Sequence, residues 1–100
     1  MIGTVYICGI PHKVVEVDDV FDAECVHFGQ IDYKTATIKI NKDLTPEIKE
    51  QTLCHEIVHG ILTHLGDGEK SQDEHFVQIL ASEIWRTFLV GDFIEIEKED

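Results

Sequence analysis

Two histidines four residues apart, His55 and His59, constrain the fold most, because they lie in a segment whose apolar residues repeat with a helical period. At 3.6 residues per turn, such positions are about 40° apart around the helix axis, so both imidazoles face one side. Their ring nitrogens can then converge on one metal ion. Glu56 stands directly after the first histidine, where its carboxylate can accept a proton without being a ligand.

The residues before this pair predict where the helix begins. Thr45 is a suitable N-cap, Pro46 fits the first helical position, and Glu47 lies at the positive end of the helix dipole. The helix is predicted from about residue 45 to residue 65, and its apolar residues fill one arc that the two histidines border. We therefore expect a cleft beside His55 and His59.

The chain around this helix predicts an α+β domain. Residues 2–8 and 14–17 read as one hairpin, and residues 28–40 read as a second. Residues 18–25 are expected to form a loop or a short helical turn, a second helix is predicted from about residue 72 to residue 90, and residues 91–100 form a short strand or a charged tail. Strands followed by helices indicate an antiparallel sheet followed by two α-helices, within a single domain spanning residues 1–100. If residues 36–40 border the cleft, an extended peptide could add to them as a further strand.

Composition narrows the classes of partner. A formal charge of −12 in 100 residues repels phosphate backbones and anionic lipid heads, so neither nucleic acid nor membrane is expected as a partner. No apolar run approaches the length of a membrane span or resembles a signal peptide, which favours a cytoplasmic location. The three cysteines, Cys8, Cys25 and Cys54, are too few and too widely spaced for a disulfide framework, and we expect buried or inert thiols.

A catalytic zinc usually takes three protein ligands, so a third ligand is needed. His64 lies about 140° around the helix from His59 and cannot share the ion while the helix continues. On the second helix Glu74 borders the apolar arc and can reach toward the histidines, with Asp73 and His75 as alternatives. Glu74 also fits a capping box in which Ser71 is the N-cap. These alternatives stay open on the sequence.

These segments together resemble the ImmA/IrrE-like group of small gluzincin-type metallopeptidases of bacteria and their mobile elements. The resemblance is carried by residues 29–33, 37–40 and 51–61, and by residues 73–77 leading to 80–81. It implies a small zincin-like domain in which His55, His59 and Glu74 bind zinc and Glu56 is the general base. Gluzincins often carry an aspartate four residues after the ligand glutamate, whereas this chain has Gln78, which would weaken metal binding.

The leading hypothesis is therefore a zinc-dependent peptidase acting on a peptide or protein substrate. Tyr33, His27 and His75 are candidates for a hydrogen-bond donor to the reacting carbonyl. The alternative is a zinc-stabilised, catalytically inactive, acidic module that binds and regulates a protein partner. A structural site of that kind would gain nothing from Glu56 and would more often use four protein ligands. A third interpretation treats both histidines as ordinary residues that bind no metal.

Overall fold

The computed structural model describes residues 2–18, 20–22, 25–88 and 95–97. The chain forms, in order, β1 (Ile2–Ile7), β2 (Ile10–Val17), β3 (Val20–Asp22), β4 (Cys25–His27), β5 (Gly29–Asp32), β6 (Thr37–Asn41), α1 (Pro46–His64), α2 (Gly68–Ser71), α3 (Glu74–Phe88) and β7 (Glu95–Glu97). Five strands make one sheet in the order β5-β6-β2-β1-β7, and β3 pairs with β4 separately. The predicted α+β class is confirmed.

The sheet contains both predicted hairpins. β1 pairs with β2 and β5 pairs with β6, both antiparallel. One pairing differs from a fully antiparallel sheet, because β2 and β6 run parallel. The chain leaves β2, passes through β3 and β4 to the sheet edge at β5, and returns as β6 beside β2. Alternating polarity predicts strands, but it does not identify their partners.

The segment from residue 18 to residue 25 departs from the expected loop. Its central part forms β3, which pairs with β4 in a two-stranded antiparallel ribbon. Each of these strands has only three residues, too few to show an alternating pattern in the sequence. At the other end of the chain β7 pairs with β1, so one of the two expectations for residues 91–100, a short strand, is met, while residues 91–94 and 98–100 lie outside the described part.

Helix α1 begins where the sequence predicts. The Thr45 hydroxyl accepts a hydrogen bond from the Ile48 backbone N–H at 3.4 Å, and Pro46 is the first helical residue. The helix packs its apolar arc on one face of the sheet, and the fully buried side chains of this core include Ile7, Val14, Ile38, Ile40, Leu53, Cys54, Val58 and Val77. This packing leaves the two histidines at the border of the buried arc, as predicted.

The described cysteines follow the expectation in part. Cys54 is buried in the core, and burial, with a smaller contribution from the charge of Glu50, raises the pKa of its thiol to about 12. Cys8 is instead exposed in the turn between β1 and β2. The side chain of Cys25 lies outside the described residues.

Helix α3 begins two residues later than predicted, at Glu74. Asp73 caps it, because its Oδ1 accepts a hydrogen bond from the Phe76 N–H at 3.0 Å. The alternative in which Ser71 caps this helix is therefore not met: Ser71 is the last residue of α2, a short helix that the sequence did not predict. Residues 89–90, included in the predicted helix, lie outside the described part.

The apolar arc of α3 is only partly covered. Val77 and Ala81 are buried, and Ile84 and Trp85 pack against the core. Three further apolar residues of the arc remain exposed, namely Phe76, Leu80 and Phe88. Among the described residues, α1 makes the main helix contact with α3, and the short helix α2 makes a smaller one. No helix of the described residues is long and apolar enough to cross a membrane.

The edge strand β5 lies directly against α1. A Cβ on Gly29 would stand 2.6 Å from Thr52 Cγ2, and a Cβ on Gly60 would stand 3.2 Å from Ile31 Cδ1. Both distances are shorter than ordinary carbon contacts, so the two glycines permit this close approach. The edge strand that lies beside α1 is therefore β5. Residues 36–40 do not provide the edge, since β6 is paired on both sides.

Candidate active site

Three side chains converge where α1 meets the start of α3. His55 Nε2 lies 3.0 Å from Glu74 Oε2, and His59 Nε2 lies 3.1 Å from Glu74 Oε1. The two Nε2 atoms are 3.2 Å apart. Among the described residues this is the one group of three or more His, Cys, Asp or Glu whose ligand atoms lie close enough to hold a metal ion together.

The spacing of these atoms fits a small tetrahedral ion. Zinc lies about 2.0–2.1 Å from imidazole nitrogen and carboxylate oxygen, so two ligand atoms at tetrahedral positions are about 3.3 Å apart. The distance between the two nitrogens, 3.2 Å, and the distance from each nitrogen to its nearer Glu74 oxygen, 3.0 and 3.1 Å, are close to this edge length. Two imidazoles and one carboxylate also form a donor set typical of catalytic zinc, with a fourth position left for water or substrate.

The outer nitrogen of each histidine has its own partner. His55 Nδ1 lies 2.9 Å from Gln78 Oε1, and His59 Nδ1 lies 3.1 Å from Ser71 Oγ. An amide oxygen can only accept, so His55 carries its hydrogen on Nδ1, which leaves the lone pair of Nε2 directed at the cluster. In the same tautomer, His59 Nδ1 would donate to the Ser71 hydroxyl. Both rings are thus oriented for metal binding.

The contact at Ser71 continues as a chain of hydroxyl groups. Ser71 Oγ lies 3.4 Å from Thr63 Oγ1, and Thr63 Oγ1 donates a hydrogen bond to the Tyr33 hydroxyl at 3.0 Å. Thr63 is one helical turn beyond His59 on α1, while Tyr33 follows β5. This chain connects a candidate ligand with the strand side of the cleft.

Electrostatics distinguish Glu56 from Glu74. Glu56 is buried, and this burial raises the pKa of its carboxyl to about 7. The charge of His55 and a hydrogen bond from the Ile31 backbone N–H lower this pKa, whereas the charge of Glu74 raises it further. Glu74 is 68% exposed. Burial lowers the pKa of His59 below its usual value, which favours the neutral imidazole that a metal requires.

A cleft of about 760 Å³ lies over this cluster. Residues of β5 and its neighbours form one wall, namely His27, Phe28, Gly29, Gln30, Ile31 and Tyr33. Residues of α1 and α3 form the other, namely Ile48, Gln51, Thr52, His55, Glu56, His59, Glu74 and Gln78. The histidine pair therefore lies at a cleft, as the sequence predicted, and Glu56 faces the same space.

The remaining candidates from the sequence lie elsewhere. The ring of exposed His64 packs edge-on against buried His12, with 6.1 Å between ring centres, and it is not part of the cluster. Asp73 caps α3, and His75 is exposed outside the cleft lining. Of the three alternatives for a third ligand, the structure brings only Glu74 to the two histidines.

Sequence reasoning missed two contributions to this site. Gln78 appeared only as a departure from the gluzincin pattern, although its position four residues after Glu74 places both on one helix face. Ser71 was considered only as a possible N-cap, and nothing in the sequence indicated that α2 would bring its hydroxyl to His59. Its position depends on how the segment after α1 folds back.

A small α+β domain with a His-Glu-x-x-His helix and a carboxylate from a following helix defines a zincin-like class of protein. The chain matches the model of one family within that description, Peptidase_M78, the IrrE N-terminal-like domain, over residues 15–85. This match covers most of the sequence, so the chain belongs to this family, and the predicted resemblance is confirmed. No curated protein and no solved structure matches the chain. The name of this family describes a peptidase domain.

Proposed function

We propose that this protein is a zinc-dependent metallopeptidase that hydrolyses a peptide bond in a protein substrate. The observation that carries the proposal is the convergence of three side chains: His55 Nε2 and His59 Nε2 are 3.2 Å apart, and each lies 3.0–3.1 Å from one of the two Glu74 carboxylate oxygens. Their spacing and chemistry fit zinc, as argued above. Family membership supports the same reaction class.

The three ligands would hold the ion at the floor of the cleft, with the histidine tautomers fixed from behind by Gln78 and Ser71. Zinc in such a site polarises the carbonyl of the scissile bond and lowers the pKa of water. The two imidazoles are neutral, and Glu74 supplies a negative charge. This charge favours the binding of a divalent cation.

Glu56 is the proposed general base. Its carboxylate accepts a proton from the attacking water as the carbon–oxygen bond forms, and it delivers that proton to the amine as the carbon–nitrogen bond breaks. The Ile31 N–H holds this side chain from the strand side. Burial strengthens the electrostatic interaction of Glu56 with the reacting atoms, because little water remains to screen it.

The substrate is proposed to bind as an extended peptide along β5. Among the described residues this strand ends the five-stranded sheet, so its outer backbone groups, apart from the Ile31 N–H that faces Glu56, can pair with a further strand. The net charge of −12 disfavours nucleic acid and acidic peptides as partners. Unpaired Cys8 and Cys54 are consistent with the reducing cytoplasm, which we propose as the compartment.

The alternative function is a zinc-bound but inactive module that binds a protein partner. The observation that favours it is Gln78, a neutral residue where gluzincins often have an aspartate. The two functions make different demands on Glu56, because only hydrolysis needs a base beside the zinc.

Replacement of Glu56 by glutamine separates them. In Glu56→Gln the amide cannot accept a proton, so zinc content should stay near that of the wild type while peptide hydrolysis falls roughly 10²–10⁴-fold. Glu47→Gln, an exposed change in the first turn of the same helix, is the matched control and should keep full activity. Zinc-dependent cleavage that persists undiminished in Glu56→Gln contradicts the mechanism. A wild-type protein that cleaves no member of a broad peptide library supports the binding module.

A further inference from the structure

The alignment of β5 with α1 shows which strand residue lies opposite which helix residue along the cleft. Gly29 lies beside Thr52, and Ile31 lies beside Gly60; the Ile31 backbone N–H is also close enough to the Glu56 carboxyl to lower its pKa. The Tyr33 hydroxyl lies beside Thr63. Strand and helix therefore run in the same direction, and Tyr33 stands at the end of the cleft toward the C-terminus of α1.

This alignment places Tyr33 away from the position of the scissile bond. The reacting bond must lie near Glu56, which is level with Ile31. Tyr33 is two residues farther along, which corresponds to roughly 7 Å at a strand rise of about 3.3 Å per residue. A peptide bound along β5 would therefore pass Tyr33 about two residues away from its scissile bond.

The chain of hydroxyl groups determines which hydrogen Tyr33 can offer. If His59 Nε2 binds the metal, Nδ1 carries the hydrogen and donates it to Ser71 Oγ at 3.1 Å. Thr63 donates its single hydrogen to Tyr33, so the Ser71–Thr63 contact at 3.4 Å must be donated by Ser71. Every member of the chain then gives its hydrogen to the next.

The last member, Tyr33, accepts from Thr63 and still has its own phenolic hydrogen. Among the described residues no group accepts that hydrogen, and Tyr33 is 47% exposed at the cleft. Because the Tyr33 oxygen already accepts a hydrogen bond from Thr63, its own O–H can point only in the remaining directions. The hydrogen is thus available to a molecule lying in the cleft.

We propose that Tyr33 is a substrate-contact residue that donates a hydrogen bond to a carbonyl oxygen of the bound peptide, about two residues from the scissile bond. The proposal rests on the peptidase function above, because it requires a peptide along β5 and a metal on His59 Nε2. It assigns Tyr33 to binding the peptide chain and not to the reacting carbonyl, and Thr63 is its positioning residue.

A phosphinic pseudopeptide provides a probe that spans both sides of the site without being cleaved. We would use a pentapeptide of alanine and leucine in which a phosphinate replaces the scissile amide, and measure its Kd with zinc-loaded protein by calorimetry. The variants are Tyr33→Phe, Thr63→Val and the double variant, and Tyr6→Phe is the matched control, since Tyr6 is exposed on β1 outside the cleft. Zinc content is measured for each.

Loss of one hydrogen bond should weaken binding of the probe by about 3- to 10-fold in Tyr33→Phe, with zinc content unchanged and Tyr6→Phe equal to the wild type. Thr63→Val should weaken binding less, and it should add nothing in the Tyr33→Phe background, because it acts through Tyr33.

Two results would overturn the inference while leaving the peptidase intact. One is Tyr33→Phe binding the probe within twofold of the wild type, and the other is a fall in zinc content in Tyr33→Phe, which would show a structural role. Failure of zinc-loaded wild type to bind the probe would instead contradict the proposed function itself, and this inference with it.

Discussion

Gln78 on α3 accepts a hydrogen bond from His55 on α1, with 2.9 Å between Gln78 Oε1 and His55 Nδ1. The Gln78 amide nitrogen donates to Ser82 Oγ at 3.3 Å, which orients the amide so that its oxygen faces the histidine. The neutral side chain thereby fixes the ring tautomer of His55, although it supplies no charge.

Removal of this acceptor should weaken zinc binding. In Gln78→Leu the Nδ1 hydrogen loses its partner, and zinc affinity measured by chelator competition should fall about 10- to 100-fold. Gln72→Leu, in the exposed residue that follows α2, is the control and should bind zinc as the wild type does. Equal affinities in the two variants would show that Gln78 does not support the metal site.

Glu74 and Asp73 are adjacent but have separate roles. Glu74→Gln removes the carboxylate charge from the cluster, and we expect a large drop in zinc affinity with little change in helix capping. Asp73→Ala removes the cap seen at Phe76 N and should lower the free energy of unfolding by about 0.5–2 kcal/mol without changing zinc affinity. Competition titration measures the zinc affinity, and urea unfolding measures the stability. Loss of zinc affinity in Asp73→Ala together with unchanged affinity in Glu74→Gln would contradict both assignments.

Burial of Glu56 should destabilise the zinc-free protein at neutral pH. Its pKa is about 7 in the folded state against an ordinary value of 4.5, so the folded state holds this proton more tightly than the unfolded state. Burial of Glu56 does not lower the free energy of unfolding below pH 4.5, where the carboxyl is protonated in both states. The free energy of unfolding falls as the pH rises toward and through 7. The full penalty is roughly 3 kcal/mol.

Glu56→Gln should therefore flatten the pH dependence of unfolding in the zinc-free protein between pH 4.5 and 7, and raise its stability at pH 8. Denaturant unfolding after removal of metal measures this, with Glu47→Gln as the exposed control. A Glu56→Gln variant that is less stable than the wild type at pH 8 would contradict the burial argument.

The width of the cleft depends on Gly29. A methyl group there would meet Thr52 Cγ2 at 2.6 Å and the Lys39 backbone oxygen at 3.1 Å, so Gly29→Ala should cost about 1–3 kcal/mol of stability. Gly68→Ala is the control, because a Cβ at that position meets nothing within 4 Å. Thr52→Ser removes the nearer methyl group and should recover part of the loss in the double variant; no recovery would mean that β5 and α1 are not in the contact described.

Sequence reasoning predicted α1 and its histidine pair well, because an N-cap, a helical apolar period and the motif all occur within one local segment. It also recovered both hairpins, whose strands alternate clearly. The parallel pairing of β2 with β6 could not be predicted, because it depends on the route of the chain through β3 and β4, which are too short to show a pattern.

The candidate site shows the same division. Glu74 could be proposed from its position on the border of the apolar arc, but Asp73, His75 and the capping role remained open until the start of α3 was known. Ser71 reaches His59 and Thr63 only because α2 folds back against α1, and such a contact has no periodic signal in the sequence. Predictions from long periodic patterns therefore held, whereas the start of α3 and the contacts that depend on the path of a connection were not recovered.

The central claim is that zinc binds between His55, His59 and Glu74, and elemental analysis tests it most directly. Protein purified without chelator should contain about one zinc per chain, and both His55→Ala and His59→Ala should lose most of it, because two remaining ligands hold zinc weakly. His64→Ala is the matched control and should keep the zinc, since His64 lies outside the cluster. Equal zinc content in the wild type, His55→Ala and His59→Ala would contradict the claim.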